Sequence, residues 1–222
     1  MTFPFFRSQW KILSEDSRHL EAYITPVEKN FSLSFANLLR KTLFLSTLGY
    51  GITAVRIRGI SSEFENIPGL MEDAFQIFTR FKDLSFLVKS NQSSYLLSLS
   101  IKGAKKVYAE DIFCPSEIQI VQKDHYLFTT NEHADLFLEF RLECGTGYVH
   151  RTDLGKHWIP IETNLNPIEH VSYKIHPYSH YEEVFFHIRT NGSIPARKAL
   201  CDALKMFFEK SESMLISLNK SD

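Results

Sequence analysis

The chain has 222 residues, enough for one or two domains with real cores, and 44% apolar and 23% charged residues are an ordinary globular balance. Its 25 Lys and Arg nearly cancel 26 Asp and Glu, which excludes an overall basic field able to hold nucleic acid unaided. Three widely spaced cysteines, Cys114, Cys144 and Cys201, form no C-x-x-C pair, which argues against a disulfide framework or a zinc site. The start, "MTFPFFRSQWKILSED", lacks the basic-then-apolar order of a signal peptide, and no apolar run reaches the ~18 residues of a membrane span. The expectation is a soluble, intracellular protein.

The first predicted element is a strand in "HLEAYITPV", within 9–27, from its short apolar–polar alternation. A helix over 33–48 follows, with Phe35, Leu38, Leu39, Leu43 and Leu45 on one apolar face at ~100° per residue. The opposite face is mixed: Asn37, Arg40 and Lys41 alternate with Leu33, Phe44 and Leu48, an arrangement suited neither to solvent nor to a core. Gly49 and Gly51 supply the expected helix stop. "ITAVRIRGI" (52–60) sets Ile52, Ala54, Val55, Ile57 and Ile60 against Thr53, Arg56 and Arg58, as in a half-exposed strand.

Ile67-Pro68-Gly69 reads as a turn, and Leu70, Ala74, Ile77, Phe78 and Phe81 as a second helical stripe. From 84 to 143, "SFLVKS", "SSYLLSLSIKG", "VYAEDIF", "EIQIV", "YLFTT" and "ADLFLEFRLE" are short, regularly spaced strand patterns of an antiparallel region. "GTGYVH" (145–150) is a glycine-hinged loop, and "HVSYKIHP" and "EEVFFHIRT" are two further strands. Ser193 is the expected cap of a last helix, 196–218, with Pro195 in its first turn and Leu200, Ala203, Leu204, Phe207, Phe208, Met214, Leu215 and Leu218 on one stripe. A β-rich stretch between two helix-bearing ends predicts one domain inserted into another.

Catalytic chemistry is not visible. The nine histidines stand in no H-E-x-x-H or comparable spacing, so surface positions are expected. Gly145-Thr146-Gly147 lacks the third glycine of a dinucleotide fingerprint. Glu72-Asp73 and Glu182-Glu183 are sequence neighbours, which do not converge on one face of a helix or strand, and solvated surface is the default for both. No catalytic residue, metal site or cofactor is expected.

Five segments in fixed order carry a resemblance. These are "FANLLRKTLFLSTLGYGITAVRIRGISSEFENIPGLMEDAFQIFTRFKDL", "VYAEDIFCPSEIQIV", "LECGTGYVH", "IPIETNLNPIEHVSYKI" and "IRTNGSIPARKAL", which run from Phe35 to Leu200 within a resemblance taken to extend over about residues 20–210. They resemble the amino-terminal part of the bacterial and plastid DNA-directed RNA polymerase alpha subunit. The resemblance implies an α+β fold of two domains: a discontinuous αβ dimerisation domain from 1–52 plus 167–222, and an inserted β-rich domain from 53–166. It implies a non-catalytic assembly subunit that pairs with itself or a closely related alpha subunit. That pair is the platform for the beta and beta-prime catalytic subunits, meets DNA only through the complex, has no membrane role, and works in the plastid stroma or bacterial cytoplasm.

Position by position, the resemblance implies contact with the beta subunit at Asn37, Arg40, Lys41, Glu63, Phe64, Pro68, Gly69, Glu72 and Asp73. It implies contact with beta or beta-prime at Lys82 and Ile161. The dimer interface would use Phe35, Leu39 and Leu43 of the first helix and Leu200, Leu204, Phe207, Phe208 and Leu215 of the last. Lys41 replaces the second arginine of the family's pair, turning a planar bidentate contact into a point charge. Ala36 and Leu38 stand where glycine and alanine are usual, and Lys105-Lys106 where glycine and proline are usual. The chain stops at Asp222, so the family's promoter-binding carboxy-terminal domain is expected to be absent. Two other classes compete: a stand-alone nucleic-acid-binding module resting on basic spots at Arg40-Lys41 and Lys102/Lys105-Lys106, and a small-molecule enzyme built on histidines.

Overall fold

A computed structural model describes residues 6–60, 67–90, 92–151, 155 and 157–219. In chain order these form β1 (Gln9–Glu15), β2 (His19–Val27), α1 (Ser32–Ser46), β3 (Gly49–Ile57), α2 (Ala74–Lys82), β4 (Phe86–Val88), β5 (Ser94–Lys102) and β6 (Lys105–Tyr108). A 3-10 turn at Ala109–Asp111 leads to β7 (Ile118–Ile120), β8 (Tyr126–Thr130), β9 (Asp135–Gly145) and β10 (Tyr148–Val149). The chain continues through β11 (Ile159–Pro160), β12 (Thr163–Asn164), β13 (Ile168–Pro177), β14 (Glu182–Thr190) and α3 (Ala196–Asn219). The fold is α+β with antiparallel sheets.

The chain divides into two compact units, Met1–Thr47 with Pro167–Asp222, and Leu48–Asn166. The change falls at 47/48 rather than 52/53, because β3 already begins at Gly49 and pairs with β9 along its whole length.

In the first unit an antiparallel sheet of order β1-β2-β14-β13 carries α1 and α3 on one face. Strand periodicity puts Leu20, Ala22 and Ile24 of β2 and Val184, Phe186 and Ile188 of β14 on that face. Ala36, Leu39 and Leu43 of α1 and Ala196, Ala199, Leu200 and Ala203 of α3 cover them. Four alanines at the contact bring the helix backbones close to the sheet. The edge strand β1 has no counterpart among the sequence expectations. It is exposed along its length except at Trp10, whose ring lies 5.7 Å from that of Phe186, so it carries almost no apolar alternation to read.

Helix α1 ends at Ser46, not on a glycine: Thr47 is extended and its hydroxyl donates to the Leu43 carbonyl at 2.8 Å. Gly51 has another task within β3. A Cβ there would lie 2.7 Å from both Leu165 Cδ2 and Thr163 Cγ2, so only glycine lets that segment pack on the strand. Helix α3 likewise lacks the expected cap, since the Ser193 hydroxyl donates to Asn191 Oδ1 at 2.6 Å. Pro195 precedes the helix, and its carbonyl accepts from the Ala199 amide.

The second unit is built on a sheet of order β11-β3-β9-β5, with the two-stranded ribbons β4-β7, β6-β8 and β10-β12 and helix α2. Its core centres on Phe81, which meets Phe140 edge-on at 4.9 Å and Phe128 at 6.5 Å. Of the expected stripe, Ala74, Ile77, Phe78 and Phe81 are buried on α2, whereas Leu70 precedes the helix and bridges to Thr130. Strand β3 is not half-exposed: a register shift between Ile52 and Ala54 turns Thr53 inward, where it is fully buried. Such a bulge breaks the period-two rule that made Thr53 read as a surface residue.

Candidate functional site

The apolar stripe predicted on α1 divides in two. Leu39 and Leu43 are buried in their own unit's core, while Leu38 is 41% and Leu45 72% exposed. Phe35, Leu38, Leu39 and Thr42 of α1 line a small cavity with Leu204 and Phe207 of α3. Of the residues expected at a dimer interface, Leu39, Leu43 and Leu200 are core, Phe35 and Leu204 are half-buried, and Phe207, Phe208 and Leu215 are exposed. Residues 207–219 of α3 are exposed throughout, about 20 Å of helix at 1.5 Å per residue, with Met214, Ile216 and Leu218 adding to the apolar surface.

The polar side of α1 is partly tied down. Arg40 donates through Nε to the Val171 carbonyl of β13 at 3.1 Å and lies 5.6 Å over the Phe44 ring. Asn37 accepts from the Tyr173 hydroxyl at 2.7 Å. Phe44 is thus half-buried under an arginine, which explains an aromatic among charges. Lys41 is exposed.

Pro68, Gly69, Glu72 and Asp73 belong to one segment pinned onto β8. The Leu70 amide donates to the Ile67 carbonyl, and Gly69 has φ +93, as in a turn with proline second and glycine third. A Cβ on Gly69 would also lie 2.8 Å from Ala134 Cα. Glu72, expected at the surface, accepts from the Thr129 amide at 2.9 Å and from the Tyr126 hydroxyl, with Arg80 at 3.6 Å. Burial alone would raise its carboxyl, but the Thr129 amide, Tyr126 hydroxyl and Arg80 charge together hold it below the ordinary carboxylate value. Asp73 caps α2 by accepting from the Gln76 amide at 2.9 Å.

Lys82 ends α2 and is exposed, but Ile161 is only 1% exposed and its amide donates to the Thr53 carbonyl, so it presents no side-chain surface. Glu63 and Phe64 lie outside the described residues.

Other groups come together only through strand pairing. Glu143, 5% exposed, accepts from Thr53 Oγ1 at 2.9 Å, from Arg141 at 3.0 Å and from Arg151 at 2.9 Å. His19, His187 and His170 sit on one face of β2, β14 and β13, with ring centres 6.4 and 5.9 Å apart. Among the described residues no group of three His, Cys, Asp or Glu could hold a metal, and no helix is long and apolar enough to cross a membrane. The three cysteines are free, and burial pushes the Cys114 thiol up to about 11. Of the two basic spots of the nucleic-acid alternative, the second is largely paired, Lys102 with Asp135 at 3.8 Å and Lys105 with Asp111 at 2.5 Å, while at the first Arg40 is tied to Val171 and Lys41 is exposed.

Fold and surfaces together define an α+β chain with exposed helix faces and structurally engaged carboxylates, and with no assembled catalytic cluster among the described residues. Residues 55–165 match the model of the RNA polymerase Rpb3/RpoA insert domain, and the chain belongs to that family. Relatives are each named DNA-directed RNA polymerase subunit alpha. That of Campylobacter jejuni strain RM1221 is 29% identical over 195 residues, 83% of this chain and 58% of the relative. That of Aliarcobacter butzleri is 28% identical over 218 residues (93% and 65%), and that of Aquifex aeolicus 32% over 193 (82% and 61%). The chain thus spans about three-fifths of the length of these relatives.

Proposed function

We propose that the chain is a non-catalytic assembly subunit of a multisubunit DNA-dependent RNA polymerase. It pairs with a second copy, or a close relative, through the α1/α3 face, and the pair is the platform for the beta and beta-prime subunits. The observation that carries this is the apolar surface at Leu38, Leu45, Phe207, Phe208, Met214 and Leu215, too much to leave in water on a monomer. Membership of the Rpb3/RpoA insert family and the names of the bacterial relatives support the polymerase part.

On the first unit the beta-facing residue is the exposed Lys41 of α1; on the second unit, taken by itself, they are Pro68 and Lys82. Arg40, Glu72 and Asp73 act there by holding backbone in place and Asn37 by holding the Tyr173 hydroxyl, and Arg40 and Asn37 also offer their remaining polar atoms. The chain meets DNA only through the complex, in a bacterial cytoplasm or plastid stroma. The test is reconstitution: the chain mixed with purified beta and then beta-prime should give a stable ternary assembly by size exclusion. A chain that elutes apart from both large subunits overturns the proposal.

A further inference from the structure

The second unit carries a cavity that the assembly role does not use. About 440 Å³ in volume and open on one side, it is lined among others by Arg56, Arg58, Gly59, Phe137, Glu139 and His157. This lies in the range of small-ligand sites, about 300–1,000 Å³. From β3, Arg56 donates to Glu139 at 2.6 Å and spreads its guanidinium 5.0 Å from the Trp158 ring centre. Two residues on, the exposed Arg58 guanidinium lies 6.0 Å from the Phe137 ring centre, and among the described residues it has no carboxylate partner. His157, on the same wall, is held at φ +74, the left-handed region uncommon for a non-glycine residue and one that gathers at functional sites.

The chemistry of this wall is particular. One cation, Arg56, is neutralised; the other, Arg58, is unpaired among the described residues. Each lies over an aromatic ring, giving flat surfaces on which a planar group can stack. A further depression of about 220 Å³ adjoins Trp158, lined by Ser94, Tyr95, Leu96 and Arg141. A bare anion would use the charge and leave the planes idle. An apolar ligand would use the planes and strand Arg58. We infer that the cavity takes a nucleoside phosphate, the phosphate on Arg58 and the base stacked against an arginine–aromatic pair, either as a free nucleotide or as a unit of a single strand. The second depression is where a neighbouring nucleotide of a strand lies.

The test uses the full chain carrying Trp10→Phe, which leaves Trp158 as the only tryptophan. AMP, inorganic phosphate, adenosine and a short oligoadenylate are titrated against Trp158 fluorescence. The expected result is a saturable change with AMP, with phosphate alone and adenosine alone each at least tenfold weaker. Arg58→Ala weakens AMP at least tenfold, while Arg58→Lys, which keeps the charge and loses the plane, falls between. Raising salt weakens binding with the shallow slope of a single phosphate contact. Tighter binding of the oligonucleotide than of AMP identifies a strand as the source; equal binding identifies the free nucleotide. No saturable response overturns the inference, as do phosphate binding as well as AMP and AMP binding unchanged in a folded Arg58→Ala protein.

Discussion

Replacing Glu72 by Gln removes a charge while keeping the shape, and so measures what the carboxylate does for the fold. Glu72 accepts from the Thr129 amide and the Tyr126 hydroxyl and faces Arg80, with its side chain 16% exposed. Hydrogen bonds to a charged group contribute about 1.5–3 kcal/mol each. Gln retains one acceptor, now neutral, and places an amide NH2, a donor, where the second oxygen accepted. The expected cost at pH 7 is therefore ~2–3 kcal/mol, or roughly 6–15 °C in Tm for a unit of this size. The folded carboxyl lies below its ordinary 4.5, so its stabilisation is complete above that value and fades as pH falls through the folded one. Wild type and Glu72→Gln should thus differ fully at pH 7 and converge in acid. Urea unfolding followed at Trp158 in a Trp10→Phe background reads this unit. A cost under about 0.5 kcal/mol, or a gap that does not narrow below pH 4.5, refutes the structural assignment of Glu72.

Three further substitutions separate structure from contact. Gly69→Ala meets both a positive φ and the Ala134 backbone at 2.8 Å, so a loss of about 1–3 kcal/mol is expected in urea unfolding, and near-neutrality would contradict the turn as described. In urea unfolding followed at Trp10 in a Trp158→Phe background, which reads the first unit, Arg40→Ala should cost about 1 kcal/mol by losing its bond to Val171, while Lys41→Glu leaves stability within about 0.5 kcal/mol. In a pull-down with the beta subunit, Lys41→Glu should weaken capture; equal capture would remove Lys41 from the contact surface.

Periodicity made the regular elements legible. The stripe of α2 and strands such as β5 and β9 alternate cleanly because one face is buried, whereas "VYAEDIF" leaves the strand for a 3-10 turn at Ala109–Asp111 and α3 buries only its first turns. What it missed has physical causes. An edge strand such as β1 buries only Trp10, so its sequence has no alternation to show. A bulge at Thr53 inverts one residue without any local mark. Glycine at 51 looked like a helix stop, yet it makes room for Leu165 and Thr163, more than 110 residues away in the chain. The same distance problem hid Glu143 among its arginines and the His19–His187–His170 row, which only register assembles.

The mixed face of α1 was visible as a puzzle before it had a cause. Arg40 reaches β13 across Phe44, so part of that face is internal clasp and part is open surface. Among the positions suggested by resemblance, burial now separates Leu39, Leu43, Leu200 and Ile161, which hold the core, from Lys41, Phe207, Phe208 and Leu215, which face outward.

The proposed pairing of two copies through α1 and α3 is tested most directly by light scattering on the purified chain and on Phe207→Glu/Phe208→Glu. Burying a large apolar side chain contributes about 1.5–3 kcal/mol, so the double substitution should weaken association by ~10²-fold or more. The account predicts twice the chain mass for wild type and a monomer for the variant at micromolar concentration. A wild-type chain that is monomeric, or a variant that stays fully dimeric, contradicts it.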